Sequence, residues 1–393
     1  MSSPPDGEPR SSHGDGGESA AARAEGSGAR VASPRSGRRL IARGSAENPA
    51  NRFERLAYAE DPEFVDDAPA DALPGARAPA LPTRYFRDPS RTLLSRNQSP
   101  DIGFDVSLNP YRGCSHGCIY CYARPTHEYL GLSAGLDFET HILVKEDAPA
   151  LLEKALGSPR WEPEVVAVGA VTDPYQPVER TLRITRRCLE VFERFRNPCA
   201  IITKSGLVTR DLDVLRRLTD HDAVAVNLSI TSLDDRLRRT MEPRASSPSE
   251  RLRAVEALAR AGVPVGVMVA PIVPGLTDHE IPALVAAAAG AGARTVRPIV
   301  LRLPHGIADL FEAWLERHHP ERRAKVMGRV RALRGGRRND PRFHTRMRGE
   351  GVFAEQIAAM FELACRRAGV NVDPPVLSTA AFRRPGGEQL PLL

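Results

Sequence analysis

The sequence predicts an α/β fold: a partial (β/α)6 TIM-like barrel with a disordered N-terminal tail and a helical C-terminal appendage. Strand and helix signals alternate through the middle of the chain, which is typical of a parallel sheet. Val165 to Val171 is a continuous apolar run, as expected for a strand covered on both faces. Six parallel strands joined by right-handed helical crossovers give a barrel that is open on one side. A doubly wound open sheet is the alternative, but no Gly-x-Gly-x-x-Gly turn follows the first strand.

The composition divides the chain into four regions. Residues 1–50 are rich in Ser, Gly, Pro, Ala and Arg and lack large apolar side chains, so they are predicted to be disordered. Residues 51–103 are expected to form an ordered lead-in segment on the outside of the core. Residues 104–305 hold the barrel. Residues 306–393 form a helical, arginine-rich C-terminal extension, in which residues 369–375 are expected to add a short strand.

The barrel strands follow from apolar runs and from the helix signals that separate them. Ser247-Pro248-Ser249-Glu250 is a capping box with proline at the first helical position, and Gly262 ends that helix. The stretch from Thr277 to Glu280 is a second capping box, and Thr209 opens the helix after the third strand. The predicted strands are residues 104–108, 165–171, 199–203, 223–230, 265–269 and 295–301.

Composition and charge limit the function without naming it. Six cysteines in 393 residues are too few for a disulfide scaffold, and the sequence has no run of eighteen apolar residues that would indicate a membrane span. The first residues lack the hydrophobic core of a signal peptide, so a reducing cytoplasm is expected. The net charge of +6 and the pI of about 9.2 permit a nucleic-acid partner, although an arginine-rich composition alone gives the same values.

The stretch from Asn109 to Arg124 carries the clearest chemical motif. Cys114, Cys118 and Cys121 occur there in the spacing Cys-x3-Cys-x2-Cys, just past the end of the first barrel strand. Three thiolates this close together can hold one metal centre, and thiolate is the ligand that favours iron–sulfur clusters, zinc or copper(I). The three cysteines are therefore the predicted metal ligands.

The identity of that metal centre is open at the level of spacing alone. A closed zinc site needs a fourth ligand, for which His116 and His127 are the candidates. A [4Fe–4S] cubane can instead be held by three cysteines, which leaves one iron open for chemistry.

The cysteine spacing, with Tyr120 directly before the third cysteine, resembles the motif of the radical S-adenosylmethionine (SAM) superfamily. The wider stretch 109–124 resembles the spore photoproduct lyase-like branch, also called DNA repair photolyase-like, in a subgroup of unassigned substrate. The resemblance implies a [4Fe–4S] cluster on the three cysteines, SAM chelated to the open iron, and Tyr120 near the adenine. It also implies reductive cleavage of SAM to a 5′-deoxyadenosyl radical that takes hydrogen from an unidentified substrate, with nucleic acid as one candidate. The electrons would come from a reductant such as flavodoxin or ferredoxin.

Polar residues after the second and third predicted strands are candidate SAM contacts. Many superfamily members carry a Gly-Gly-Glu segment here that grips the SAM amino group, whereas this chain has Thr172 to Glu179. The resemblance therefore implies that Asp173 or Gln176 accepts that bond; a merely structural loop is the alternative. After the third strand, Lys204 and Ser205 offer a cation and a hydroxyl that suit a carboxylate or a ribose.

Further candidates follow the fourth and fifth strands. Ser229 offers a hydroxyl, and Glu242 and Arg244 resemble a pair that binds the sugar hydroxyls and the methionine carboxylate. A surface ion pair is the alternative for those two. Ile272 lies in a segment that resembles the adenine-contacting segment of the superfamily. No residue is identified as catalytic.

Three cysteines lie outside the motif, and a basic section follows the barrel. Cys188, Cys199 and Cys365 are predicted to be core residues. Spore photoproduct lyase uses a cysteine beyond its cluster motif as a hydrogen donor, and no cysteine lies between residues 122 and 187, so thymine-dimer repair is in doubt. Residues 322–348 are dense in arginine, which suits a phosphate backbone or a solvated surface. The alternative function is thus a non-catalytic, zinc-containing nucleic-acid-binding module.

Overall fold

The computed structural model describes residues 43–53 and 81–385. The strands are β1 (Arg84–Arg87), β2 (Leu94–Arg96), β3 (Val106–Leu108), β4 (Tyr111–Arg112), β5 (His141–Val144), β6 (Val166–Val168), β7 (Cys199–Thr203), β8 (Val224–Ser229), β9 (Val265–Ile272) and β10 (Thr295–Val300). The α-helices are α1 (Asp137–Thr140), α2 (Ala148–Gly157), α3 (Glu179–Leu182), α4 (Ile184–Phe195), α5 (Leu212–Thr219), α6 (Asp235–Met241), α7 (Pro248–Arg260), α8 (Ile281–Gly290), α9 (Ile307–His318), α10 (Pro320–Ala332) and α11 (Val352–Ala368).

The main sheet has seven strands in the order β10-β9-β8-β7-β6-β3-β2. The strands from β3 to β10 in this sheet run parallel to their neighbours, and β2 adds an antiparallel strand at the β3 edge. Each of these six parallel strands overlaps one that the sequence predicts, although β6 is shorter than the predicted 165–171. The helix after β7 begins at Leu212 and not at Thr209, because residues 206–211 form a 3-10 helix. The prediction of an α/β partial barrel is confirmed.

Side chains alternate between two faces of the main sheet. In β8, Val224, Val226 and Leu228 are fully buried in the main hydrophobic core beneath the helices. Since alternate residues of a strand point to opposite faces, Asn227 and Ser229 lie on the concave face of the sheet. This concave face is the interior of the partial barrel.

One row of the concave face crosses three adjacent strands. Ser229 of β8 is in register with Met268 of β9, and Met268 is in register with Arg297 of β10. Residues in register on parallel strands share a face, so these three side chains form a line that ends at the open edge of the sheet. The row connects the loops above β8 with the side opening of the barrel.

The C-terminal extension is largely helical, as predicted. Phe311 and Trp314 of α9 are fully buried in a second hydrophobic cluster. That cluster also contains Cys118, Ile119 and Tyr120. The first helices of the extension therefore pack directly against the cysteine-rich segment.

Residues 43–53 correct the expectation that the first fifty residues are disordered. The backbone N–H groups of Gly44 and Ser45 donate to the Glu139 carboxylate at 3.0 and 2.8 Å. The Asn48 side chain donates to Asp137 at 2.9 Å. These partners lie more than eighty residues along the chain, so composition alone does not reveal them. The predictions for residues 1–42 and 54–80 fall outside the described residues.

Two local predictions are also wrong. Thr277 and Glu280 form no capping box. The Thr277 hydroxyl accepts from the Val273 N–H at 2.9 Å, and the Glu280 carboxylate accepts from the Ser232 hydroxyl and the Leu233 N–H at 2.7 Å each. Residues 369–375 form no strand; the Asn371 side chain instead bonds the backbone of β10. The structure also has a small sheet, β1-β5-β4, that is not among the predicted elements. Among the described helices, none is both long and apolar enough to cross a membrane.

Candidate active site

The cysteine loop, residues 113–123, connects β4 to a 3-10 helix that spans Arg124–Leu130. Gly113 and Gly117 have φ angles of +79° and +70°, a region that side chains other than glycine rarely adopt. A Cβ added at Gly117 would also lie 2.6 Å from Glu139 Oε2. The two glycines therefore let the loop turn tightly enough to bring its three cysteines together.

The cysteine loop opens onto a cavity of about 130 Å³ at the carboxyl ends of β6, β7 and β8, which we call the cysteine cavity. Six residues that the sequence predicts as metal ligands or SAM contacts line it: Cys114, Cys118, Cys121, Asp173, Lys204 and Ser229. All three cysteines are free thiols. The geometry thus brings the three predicted ligands and three of the nine predicted SAM contacts to one place.

Asp173 is held in the cavity wall by hydrogen bonds and by a neighbouring histidine. Its carboxylate accepts from the Thr203 hydroxyl and the Lys204 N–H at 2.7 Å each, and it lies 3.2 Å from His116 Nδ1. Burial favours the neutral imidazole, but the Asp173 carboxylate and the Cys114 thiol outweigh it and raise the pKa of His116 to about 9. The pKa of Asp173 is lowered in turn, because His116 and these hydrogen bonds outweigh its burial. The two side chains form a buried ion pair beside the cysteines.

Gln176 holds the cysteine loop through a hydrogen bond to the loop backbone. Its Oε1 accepts from the Ser115 N–H at 3.0 Å. Thr172, four residues earlier, donates its hydroxyl to the Gly113 carbonyl at 2.6 Å. Gln176 is completely buried and does not line the cysteine cavity. Its observed contacts are those of a residue that positions the loop.

Glu242 is the centre of a second buried cluster beneath the cysteine loop. Its carboxylate accepts from the hydroxyls of Tyr120 and Thr231 and pairs with Arg251 and, at 3.2 Å, with Lys204. Burial opposes the charge on Glu242, but the two cations and the hydroxyl donors outweigh it and hold its pKa well below the usual range. Glu242 is therefore an ionised carboxylate whose acceptor positions are occupied.

The structure places the other predicted contacts away from the cavity. Six of them do not line it: Tyr120, Gln176, Ser205, Glu242, Arg244 and Ile272. Ser205 caps a 3-10 helix, Gly206–Asp211, by accepting from the Leu207 N–H. Ile272 is fully buried in the main core.

Glu242 and Arg244 do not pair with each other within the part of the chain that the structure describes. Arg244 instead donates to the Thr83 hydroxyl at 2.8 Å, on the side of the loop near β1. Glu242 pairs with Arg251 and Lys204, which lie closer to the strand ends. The expected sugar- and carboxylate-binding pair is thus divided between two sites.

A buried ion pair fixes the outer side of the cysteine loop. Arg124 donates to the Cys118 carbonyl at 2.9 Å and to Glu139 at 2.5 Å, and both charged side chains are completely buried. Glu139 also receives the N–H groups of Gly44 and Ser45. The segment 43–53 is therefore tied to the same carboxylate that holds the loop.

Gly44→Ala tests whether this attachment matters. A Cβ at Gly44 would lie directly on the Gly117 carbonyl oxygen and 2.9 Å from the carbonyl carbon, so either the segment or the loop must move. We expect a lower thermal midpoint and weaker loading of the cysteines with iron and sulfide. Gly328→Ala is the matched control, because a Cβ at Gly328 in α10 meets nothing within 4 Å and alanine favours a helix. Equal behaviour of the two variants would mean that the contact is not needed.

The side chains around the cysteine cavity fit one of the metal centres that the spacing allows better than the other. His127 does not line the cysteine cavity, and its Nε2 lies 2.8 Å from the His141 carbonyl oxygen. His116 does line the cavity, but its Nδ1 lies 3.2 Å from the Asp173 carboxylate. Among residues 43–53 and 81–385, no three His, Cys, Asp or Glu side chains converge closely enough to hold a single metal ion. A cubane makes a different demand, because each thiolate binds its own iron. Three thiols facing one cavity fit a [4Fe–4S] cluster.

Three thiols on a glycine-shaped loop, at the carboxyl ends of parallel strands, define an α/β partial-barrel protein built to hold a thiolate-bound cofactor. The chain belongs to the radical SAM superfamily, which it matches over residues 108–288. That span runs from the end of β3 into α8 and includes all three cysteines. Membership in this superfamily implies SAM and an iron–sulfur cluster as cofactors and supports an enzyme.

The chain is similar to proteins from bacteria, archaea and viruses. An uncharacterized protein of Mycobacterium tuberculosis strain H37Rv is 36% identical over 284 residues, which cover 69% of this chain and 82% of the relative. An uncharacterized protein of Methanocaldococcus jannaschii is 29% identical over 178 residues, covering 45% and 64%. A protein of Pseudomonas phage M6, named radical SAM Nalpha-GlyT isomerase, is 25% identical over 215 residues, covering 53% and 42%.

The fold is similar to that of a solved enzyme. Spore photoproduct lyase, in a complex with a dinucleoside spore photoproduct, is 20% identical and superposes with a TM-score of 0.50. The match covers 72% of this chain and 78% of the lyase. At this identity the likeness shows the shared partial-barrel fold.

Several functional residues are absent from the sequence prediction. Thr203 and Arg251 bind the carboxylates that shape the site, and His116 was considered only as a zinc ligand. Thr203 directly precedes a predicted contact at the end of a strand, which is a usable signal. Arg251 lies inside α7 and has no comparable signal, since most helical arginines are solvated.

Proposed function

We propose that this protein is a radical SAM enzyme with a [4Fe–4S] cluster on Cys114, Cys118 and Cys121. The observation that carries the proposal is the convergence of these thiols on one cavity at the carboxyl edge of a radical SAM barrel. The bound cluster and SAM would together supply a 5′-deoxyadenosyl radical, formed by reductive cleavage, that removes a hydrogen atom from the substrate.

The residues of the chain have separate tasks in this proposal. Lys204, Asp173 and Ser229 face the cysteine cavity and remain the proposed contacts for the polar groups of SAM. Gln176 and Glu242 hold the loop and the Tyr120 hydroxyl in place from beneath. Cys114 and Cys118 are buried and Cys121 is partly buried, so the cysteine loop limits the access of water and oxygen to a cluster bound there.

The predicted partners follow from this chemistry. A one-electron reductant such as flavodoxin or ferredoxin would supply the electron for SAM cleavage. A reducing compartment, which we expect to be the cytoplasm, suits six free cysteines. Whether SAM is consumed or regenerated depends on the substrate and its hydrogen-atom donor.

The decisive experiment is anaerobic reconstitution of the full-length protein with iron and sulfide. We expect about four irons and four sulfides per chain. With a strong reductant, the reconstituted protein should convert SAM to 5′-deoxyadenosine. About one zinc per chain, no acid-labile sulfide and no SAM cleavage would instead support the alternative, a zinc-containing nucleic-acid-binding module.

Nucleic acid remains a candidate substrate, supported by a basic and aromatic surface. Phe343 is half exposed, and the Arg346 guanidinium lies over its ring at 4.5 Å. Two arginines of the same section have other partners, since Arg338 pairs with Asp309 and Arg342 pairs with two carboxylates. The guanidinium groups of Arg338 and Arg342 are therefore less available to bind a phosphate, and the better candidates lie closer to the barrel opening.

A further inference from the structure

A second and larger cavity lies at the open edge of the barrel. Its volume is about 540 Å³, within the range of small-molecule sites, against about 130 Å³ for the cysteine cavity. Its walls come from the loop 101–104, from β9 and β10, from residues 347–348 and from α11. We call it the seam cavity, because it lies between the first and last parts of the partial barrel.

The seam cavity and the cysteine cavity adjoin along one row of the sheet. Ser229 lines the cysteine cavity, and its register neighbour Met268 lines the seam cavity. Arg297, the next residue of that row, also lines the seam cavity. Because neighbouring strands are about 4.8 Å apart, the two cavities meet within one strand spacing. A ligand in the seam cavity would extend directly toward the cysteines.

The walls of the seam cavity are mainly apolar. Ile102 and Phe104 contribute from the loop, Ile299 from β10, and Ile357 and Phe361 from α11. A planar ring or another apolar body of similar size would bury this surface.

Two arginines give the seam cavity a positive charge. Arg297 and Arg348 both line it and are exposed, and within the described residues neither pairs with a carboxylate. Of the two acidic residues of the lining, Asp101 pairs with Arg346, and Glu362 is exposed and lies 3.8 Å from Arg366 on the surface of α11. The cavity therefore presents two guanidinium groups that can bind phosphate.

The rim of the seam cavity is ordered by its own contacts. Asp101 accepts from the His344 N–H at 2.5 Å and pairs with Arg346, which also donates to the Ser99 hydroxyl. The Val300 N–H of β10 donates to the Met347 carbonyl at 3.0 Å. These bonds join the loop before β3 to the C-terminal extension across the open side of the barrel. These contacts fix the shape of the cavity.

We propose that the seam cavity binds the non-reacting part of the substrate, and that this part is a nucleotide unit. Its base occupies the apolar walls, and its phosphate lies between Arg297 and Arg348. This inference rests on the proposed function for its link to radical chemistry, although nucleotide binding itself does not. The nucleotide is either free or part of a single strand, whose next base would stack on the exposed Phe343 beside the rim.

The test measures binding to the full-length reconstituted protein without reductant, so it does not depend on SAM cleavage. The probes are the four deoxynucleoside 5′-monophosphates, the matching uncharged nucleosides and a fluorescein-labelled single-stranded oligonucleotide. The double variant Arg297→Gln/Arg348→Gln is expected to bind phosphorylated probes at least about tenfold more weakly, while nucleoside binding changes little. The charge-matched control is Arg253→Gln/Arg367→Gln, two exposed arginines outside the cavity.

A second variant locates the ligand without changing charge. Ala358→Trp places a bulky side chain on the cavity wall of α11, so it should weaken binding of nucleotides and nucleosides alike. Unchanged affinity in this variant, or equal losses in the arginine pair and its control, would overturn the proposal. Tight binding of the oligonucleotide but not of mononucleotides would identify a strand as the source; the reverse would identify a free nucleotide. If the wild type cleaves SAM but binds no probe, the inference fails while the proposed function stands.

Discussion

Cys118→Ala is expected to lose its iron–sulfur cluster and to leave SAM uncleaved above background. Cys118 is buried at the cysteine cavity, and only Cys114 and Cys121 remain there after the change. Two thiolates are fewer than the three that hold a cubane with one open iron. The measurements are iron and sulfide per chain after anaerobic reconstitution, and 5′-deoxyadenosine formed from SAM in the presence of reductant.

Cys365→Ala provides the matched control for this prediction. Cys365 is also a buried free thiol, but it lies in α11 with its sulfur 3.6 Å from the Asn371 side chain, outside the cysteine cavity. Its removal should leave the iron content and SAM cleavage close to those of the wild type. Thermal unfolding of both variants before reconstitution separates a folding defect from a ligand defect. Full cluster content and full cleavage in Cys118→Ala would contradict the ligand assignment.

The features that sequence predicts well here are those encoded locally. Apolar runs such as Val165–Val171 identify buried parallel strands because both faces of those strands need apolar side chains. The capping box at Ser247 and Glu250 is observed as predicted, since both partners lie within one turn. The cysteine motif likewise lies within eight residues. In each case the interacting groups are neighbours in the chain.

The features that sequence does not reveal depend on distant partners. Glu242 and Arg244 were predicted to bind SAM side by side, with an ion pair between them as the alternative. The observed partners of Glu242 instead come from four other segments of the chain. Glu280 likewise serves Ser232 rather than its own helix. A carboxylate binds whichever donors the folded chain presents, so short spacing is weak evidence for a pair.

The seam cavity is also formed by residues that are distant in the chain, so the sequence does not reveal it. Its lining residues come from the loop before β3, from the last two strands and from the final described helix. Arg297 lies among the apolar residues of a predicted strand, and nothing in the sequence around it indicates a ligand contact. Only the strand register shows that it follows Ser229 and Met268 across the concave face.

Arg251→Met is expected to destabilise the fold by about 3–5 kcal/mol, because it leaves a buried carboxylate short of its main partner. Arg251 is almost completely buried, pairs with Glu242 and donates to the Ser229 carbonyl at 2.8 Å. Glu242 in turn holds the Tyr120 hydroxyl. Loss of Arg251 should therefore reduce cluster loading as well as the urea midpoint of unfolding.

A double variant distinguishes this explanation from simple loss of packing. Arg251→Met combined with Glu242→Gln removes both charges, so it should recover most of the stability that Arg251→Met loses. Arg253→Met is the control on the same helix, because Arg253 is exposed and its replacement should change stability by less than about 0.5 kcal/mol. If the double variant is as unstable as the sum of its parts, the two side chains are not coupled. The cysteine loop would then depend on Arg251 for packing and for its bond to the end of β8, and the charge of Glu242 would matter only through Lys204.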